Sequence, residues 1–218
     1  MSDTPEPAYL KPYAEAARAV GARFEALLWL SRESQTARFA TIAAMLDSQA
    51  GAMADFGCGR ADLLEHLLDA GLAPARYIGI DGVEAMVAAG NERITARRID
   101  NASCRFDDFV ANQTIFADLA RDMKIDTFVF SGSLNTLTQE IAEAVLDRAF
   151  AALPAGGVLI FNFLSSEAPN REGNSQTGPA RRFKTLALVR FALDRTPLVR
   201  FACDYLGGHD ATIRMERP

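Results

Sequence analysis

The stretch Met53-Ala54-Asp55-Phe56-Gly57-Cys58-Gly59-Arg60-Ala61-Asp62, followed by Ile78-Gly79-Ile80-Asp81, decides the reading of this chain. An apolar run ending at Phe56, a glycine turn, a helix starting near Arg60 and a second apolar run closed by a carboxylate together describe a nucleotide-binding crevice. Glycines at 57 and 59 let the backbone approach a ligand where a Cβ would collide, and Asp81 is placed to accept hydrogen bonds from a ribose. A dinucleotide fingerprint requires Gly-x-Gly-x-x-Gly, with a pyrophosphate at the helix N-terminus. Here Asp62 stands where the third glycine belongs, and its charge opposes a pyrophosphate. Asp55, two residues before Gly57, adds another carboxylate, so the turn suits a ligand that carries positive charge.

Outward from this stretch, strand and helix patterns alternate. Strands are expected at 52–56, 76–81, 103–107, 125–131 and 156–163, and helices at 60–71, 83–97, 114–122 and 137–153. Such alternation forces right-handed crossovers and a parallel sheet. Beyond a polar, Gly-rich loop from Ser165 to Ala180 the pattern gives a helix near 181–193. Two strands follow, Leu198 to Leu206 and Ala211 to Arg217, around Gly207-Gly208-His209-Asp210. A hairpin there makes the last strand antiparallel to its neighbour.

Ahead of the first strand, residues 1–7 are Pro-rich and expected to be loose, and two helical patterns follow. The second, Ala22 to Asp47, has a stripe of Phe24, Leu27, Leu28, Phe39, Ile42, Met45 and Leu46. At about 100° per residue the same stripe contains Ser31, Gln35 and Arg38. Polar side chains on a buried face need partners or line a cavity. The cavity reading offers Gln35 and Arg38 to the crevice, the forked donors of Arg38 suiting a carboxylate.

A chain of 218 residues forms one ordinary domain. Within it, 1–50 is an N-terminal helical segment, 51–164 the crevice-forming core, and 165–218 a loop and terminal hairpin. A net charge of −5, a pI near 5.1, and lysines only at 11, 124 and 184 argue against a nucleic-acid partner. No signal-peptide pattern or membrane-length apolar run is present, so a cytoplasmic protein without a membrane partner is expected. Cys58, Cys104 and Cys203 are far apart in sequence and imply neither a disulfide framework nor a zinc site; no metal is expected.

Asp55 to Ala61 resembles motif I of the class I S-adenosylmethionine-dependent methyltransferases, Asp-x-Gly-x-Gly-x-Gly, with Ala61 in place of the last glycine. Asp81-Gly82-Val83-Glu84-Ala85-Met86 resembles their motif II, with Val83 replacing the usual serine. The segment from Leu28 to Phe39 is similar to the N-terminal part of a little-characterised bacterial subgroup. The resemblance implies an α/β three-layer sandwich with a Rossmann-like, seven-stranded, mostly parallel sheet. Its strand order is 3-2-1-4-5-7-6, the last strand is antiparallel, and the N-terminal helices are additional. It also implies S-adenosylmethionine as methyl donor and S-adenosylhomocysteine as product.

The cofactor residues implied are Asp55, Gly57, Cys58, Gly59, Asp81, Gly82, Val83 and Met86, then Asp108 for the adenine amine and the Phe109 backbone for the ring. Asp107 is the near alternative to Asp108. Ser131 and Gly132 would meet the methionine moiety, joined by Gln35 and Arg38. Asn135 and Asn162 are candidates for orienting a substrate, and His209 for a general base. The Asp/Asn-Pro-Pro-Tyr/Phe signature of nucleic-acid amino-methyltransferases is missing, which directs the expectation to a small-molecule acceptor. Tyr9, Tyr13, Trp29 and Phe163 are the aromatic residues that could wall a planar substrate, or else pack the core. Two alternatives remain: a non-catalytic S-adenosylmethionine-binding regulatory or interaction protein, and an NAD(P)-dependent oxidoreductase lacking the third glycine and a Tyr-x-x-x-Lys pair.

Overall fold

The structure is a computed structural model and describes residues 6–46, 51–168 and 178–218. Residues 1–5 and 47–50, and most of the loop expected from Ser165 to Ala180, lie outside the described residues. In chain order the elements are α1 (Lys11–Val20), α2 (Arg32–Met45), β1 (Ala52–Phe56), α3 (Asp62–Asp69), β2 (Arg76–Asp81), α4 (Glu84–Ala96), β3 (Ala102–Phe106), α5 (Ile115–Asp122), β4 (Thr127–Phe130), α6 (Gln139–Ala152), β5 (Val158–Ser165), β6 (Arg182–Phe183), α7 (Thr185–Leu193), β7 (Val199–Ala202) and β8 (Asp210–Glu216).

The sheet runs β3-β2-β1-β4-β5-β8-β7. All contacts among β1 to β5 are parallel, whereas β8 is antiparallel to both β5 and β7. Setting aside the two-residue β6, which pairs with the end of β5, this is the expected order with its reversed last strand. Alternating side chains explain the layers. Ala54 and Phe56 of β1 join a core packed under α5, α6 and α7, and Met53 joins the opposite core with Phe39, Leu63 and Val87 of α2, α3 and α4. Phe56 stacks on Phe130 at 4.8 Å and meets Phe116 and Phe128 edge-on. An aromatic cluster therefore stands beneath the last residue before the glycine turn. Among the described residues no helix is long and apolar enough to cross a membrane.

Three expectations change. The single helix from Ala22 to Asp47 is broken: one 3-10 turn, Phe24–Leu27, ends at Leu28 with φ of +56°, and α2 begins only after Ser31. Ser31 and Ser34 cap each other, each hydroxyl accepting the other's backbone N–H at 3.2 Å. That reciprocal cap satisfies donors that a continuous helix would have bonded internally, and it moves Ser31 from the supposed buried stripe to a helix start. The helix expected from 181 starts at Thr185, because Arg182 and Phe183 pair with Leu164 and Ser165. The last hairpin is looser than a Gly-Gly turn, since β7 ends at Ala202 and a 3-10 turn, Leu206–Gly208, precedes β8.

One buried ion pair ties the N-terminal segment to the far side of the sheet. Arg38 Nε donates to Asp210 Oδ1 at 2.6 Å, with side chains 6% and 0% exposed. The Arg38 guanidinium also lies 4.7 Å from the Trp29 ring centroid. Removing one partner of such a pair strands the other charge in the interior, a loss of about 3–5 kcal/mol, whereas replacing both by apolar groups is often close to neutral. Urea unfolding should therefore show Asp210→Ala strongly destabilised, and the double change Arg38→Met with Asp210→Leu much nearer the parent protein. Equal losses in both variants would contradict this assignment.

Candidate functional site

The carboxyl ends of β1, β2, β3 and β4 converge on one cleft, as is general for open α/β sheets. At its centre is the turn after β1. Gly57 has φ of +73°, and a Cβ there would stand 2.3 Å from that of Ser133, so glycine is required for both conformation and space. Gly59 donates its N–H to Asp81 Oδ2 at 2.8 Å, and Val83 donates to Asp81 Oδ1 at 2.9 Å. Asp81 thus joins the turn after β1 to the start of α4. Ala61, where the motif has its last glycine, also takes a left-handed φ of +59°. The departure keeps the glycine conformation, at a cost of about 1–2 kcal/mol for a residue with a Cβ.

The cleft contains about 960 Å³ of free space, counting its open mouth. Asp81, Gly82, Val83 and Met86 line it, as do Asp107, Asp108 and Phe109 after β3, and Ser131, Gly132 and Asn135 after β4. Tyr9, Tyr13 and Trp29 line it from the N-terminal segment, so three members of the expected aromatic wall meet there. Phe163 does not; it is fully buried between Phe161 and Phe183. Leu10, Leu27 and Trp29 rest directly on Gly82, Gly59 and Gly132, forming a roof over the glycine surfaces.

The carboxylates after β3 differ in their commitments. Asp108 Oδ2 accepts from the Tyr9 hydroxyl at 2.7 Å, and its Oδ1 accepts from Val110 and Ala111 N–H. Asp107 is bonded through Oδ2 to Asn112 at 2.9 Å. Asp108, the residue expected to read adenine, is thus engaged by protein donors through both oxygens, because it caps the turn that follows it. Phe109 lines the cleft while its carbonyl is held by Arg148 at 3.1 Å.

Several other expected positions change role. Arg38 is spent on Asp210 and is not among the residues lining the cleft. Gln35 lines a smaller cavity beside the turn, shared with Asp55, Gly57, Gly59 and Ser131. The sulfur of Cys58 reaches below the turn, 3.9 Å from that of Cys104. Asn162 is wholly buried, its side chain accepting from Gly132 N–H at 2.7 Å and donating to Ser131 Oγ at 3.2 Å; it shapes the turn after β4 instead of facing a substrate. His209 does stand at the crevice edge of the sheet, since Asp210 pairs with Leu164 at the end of β5. Its ring, however, is held by Asp210 Oδ2 at 2.9 Å, and it is not among the described lining residues. Asp62 is paired with Arg60 at 3.0 Å and Arg93 at 2.5 Å, so its charge is largely balanced within the protein.

Two polar atoms stand out. Asp55 Oδ2 accepts from the Tyr77 hydroxyl at 2.7 Å, while its Oδ1 is buried without a partner. Asn135 Oδ1 is likewise buried and unpaired. Each such atom costs about 1–3 kcal/mol until a donor reaches it. Tyr77 was missed in the sequence, although a tyrosine in a buried strand needs a partner for its hydroxyl, which was the available signal.

Burial raises the Asp55 carboxyl to about 7, opposed by the Tyr77 hydrogen bond. Burial also raises Asp81 to about 6, against the two backbone N–H donors that favour its anion. An unfolded Asp titrates near 3.9, so the folded chain binds more protons between about pH 4 and 7. The contribution to stability is present below pH ~4 and lost as pH rises through 6 and 7. Thermal unfolding of the ligand-free protein should show Tm falling from pH 5 to 8, and Asp55→Asn should remove most of that slope. An unchanged slope in the variant would contradict the assignment.

Residues 54–159 match the family model described as a methyltransferase domain. No curated protein matches the sequence. Among solved structures, the chain is similar to magnesium protoporphyrin IX methyltransferase from Synechocystis PCC 6803 with bound SAH, at 15% identity and a TM-score of 0.67, covering 96% of this chain and 94% of that one. It is similar to an O-methyltransferase family protein from Burkholderia thailandensis, at 14% identity and a TM-score of 0.71, covering 99% of this chain and 65% of that one. It is also similar to the N-methyltransferase NodS from Bradyrhizobium japonicum WM9, at 17% identity and a TM-score of 0.58, covering 86% and 96%. Residues 54–159 thus match a methyltransferase domain, and the motif-bearing turn and the strand order agree with that match.

Proposed function

We propose that the protein, acting as a single domain, transfers a methyl group from S-adenosylmethionine to a small-molecule acceptor. The observation that carries this reading is the Asp81 junction. A buried carboxylate, already oriented by two backbone donors, lies between a glycine turn and a cleft lined by further carboxylates. Each Asp81 oxygen keeps a second acceptor direction for a ribose hydroxyl. The methyltransferase-domain match over residues 54–159 and structural neighbours that hold S-adenosylmethionine or SAH support the same ligand.

The residues present fit this ligand. Asp55 Oδ1, buried without a donor beside the glycine turn, suits the ammonium of its amino-acid part. Gln35 borders the same cavity and offers an amide. Gly82, Val83, Met86 and Phe109 give apolar surface for adenine. Asp107, bonded to a side-chain donor through Oδ2 alone among the described residues, replaces Asp108 as the acceptor for the adenine amine. Asp108 instead holds Tyr9 and its own turn.

When bound, the cofactor supplies an electrophilic methyl on a sulfonium. The protein's part is alignment and exclusion of water, which can provide much of the acceleration of an in-line displacement. Leu10, Leu27 and Trp29 already cover the glycine surfaces, and Asn162 fixes the turn after β4 through Gly132. No protonatable base is needed at the lining for this step.

Calorimetry tests the reading. S-adenosylmethionine should bind in the micromolar range and NAD(P) should not. Asp81→Ala should weaken binding by about 2–3 kcal/mol, as expected when a buried, charged hydrogen-bond acceptor is removed. Affinity should also fall as pH drops through about 6, where Asp81 takes up a proton. Normal binding by Asp81→Ala would refute the assignment. Binding of the cofactor without transfer to any acceptor would favour a regulatory, non-catalytic role instead.

A further inference from the structure

The sheet order separates the ends of the cleft. From β3 through β2 and β1 to β4 are three strand spacings, or ~14 Å at about 4.8 Å each. Asp107 and Asp81 lie on the β3–β2 side, the glycine turn follows β1, and the loop of Asn135 follows β4. Under the methyl-transfer reading, on which this inference rests, the nucleoside occupies the β3–β2 side. The second reactant is then left with the β4 end, where Asn135, Thr136 and Leu137 meet Pro179 and Ala180.

Asn135, like Ser133 in the same loop, lines the cleft with a buried side-chain oxygen that has no partner. It is 7% exposed, and its backbone is fixed on both sides: its N–H donates to Gly132 O at 3.3 Å, and its carbonyl accepts Arg181 N–H at 2.7 Å. The side-chain oxygen nevertheless has no donor. Interior polar groups are rarely left so. Reversing the amide does not remove the problem, because it would bury an unpaired N–H in the same place.

The surroundings select further. The charged side chains lining the cleft, among the described residues, are Asp81, Asp107 and Asp108, with no Lys, Arg or His. A low-dielectric cleft with carboxylates and no cation disfavours anionic guests. Tyr13, Leu28, Trp29, Leu137 and Pro179 present apolar and aromatic surface.

We propose that the methyl acceptor is a largely apolar, uncharged or cationic molecule that donates a hydroxyl or N–H hydrogen bond to Asn135 Oδ1, and that Asn135 selects it. In the transfer, the acceptor O or N forms the bond to the methyl carbon. The carbon–sulfur bond breaks with its electron pair going to sulfur, and the acceptor's proton leaves to water. An amide oxygen positions the donor group but cannot remove its proton, so the acceptor is one whose nucleophile is accessible without a strong base, a phenol or an amine.

The test uses the full chain with saturating S-adenosylmethionine and a matched aromatic panel: phenols, arylamines and alkylamines, the same rings bearing a carboxylate or phosphate, and the donor-blocked methyl ethers. Donor-bearing neutral or cationic members should be methylated, with kcat/KM at least about tenfold above their anionic counterparts. Asn135→Leu should lower kcat/KM for the best acceptor by about tenfold, mainly through KM, the usual scale for one lost hydrogen bond. The calorimetric Kd for S-adenosylmethionine should stay within about twofold. If the parent protein fails to bind S-adenosylmethionine, the functional reading itself falls. If it binds the cofactor but prefers anionic acceptors, or methylates no donor-bearing member, the acceptor inference is overturned. A variant with weakened cofactor binding and an unchanged acceptor KM overturns it too, by placing Asn135 on the cofactor side.

Discussion

The hydrogen bonds from Gly59 and Val83 N–H to the two oxygens of Asp81 are the constraint on which the site depends. They connect the turn after β1 to the end of β2 and the start of α4, so the backbone that would meet a ligand is fixed by a side chain that would also meet it. Burial raises the Asp81 carboxyl to about 6, and the two donors offset part of that rise. The Asp55 carboxyl, pushed to about 7 in the same region, accepts from Tyr77 alone among the described residues. The ligand-free cleft thus holds carboxylates whose ionised forms are costly, a state that donors on a cationic, hydroxyl-rich ligand would relieve.

A second constraint acts across the sheet. Arg38 and Asp210 pair in the interior, which anchors α2 on β8, and the Arg38 guanidinium lies over Trp29. Trp29 in turn rests on Gly132, whose N–H is held by Asn162. The roof and the floor of the β4 end are therefore joined through a chain of contacts that begins outside the motif-bearing core. His209, also bonded to Asp210, belongs to this support.

Much of the fold was legible because its signals are local. The short apolar run of β1, the glycine turn, the carboxylate ending β2 and the helix-length intervals between strands each reflect backbone geometry within a few residues. The break between the 3-10 turn at Phe24–Leu27 and α2 was not legible from the apolar stripe, since a 3.6 period continues across a cap. Ser31 and Ser34, three apart, were the competing signal. The short strand at Arg182–Phe183 exists only through its pairing with β5, a contact no local pattern encodes.

By itself the sequence determined the α/β class, the position of the glycine turn, the reversed last strand and the set of residue positions that gather at the crevice, because right-handed crossovers between alternating strands and helices bring the strand ends to one edge, with the strand order implied by the resemblance. Only the tertiary structure decided how those residues divide their hydrogen-bonding capacity. It committed Arg38 to Asp210, Asn162 to Gly132 and both oxygens of Asp108 to protein donors, and it left Asp55 Oδ1 and Asn135 Oδ1 without one. A residue's type states how many bonds it can make. Which of them stay open for a ligand depends on neighbours brought together from distant parts of the chain.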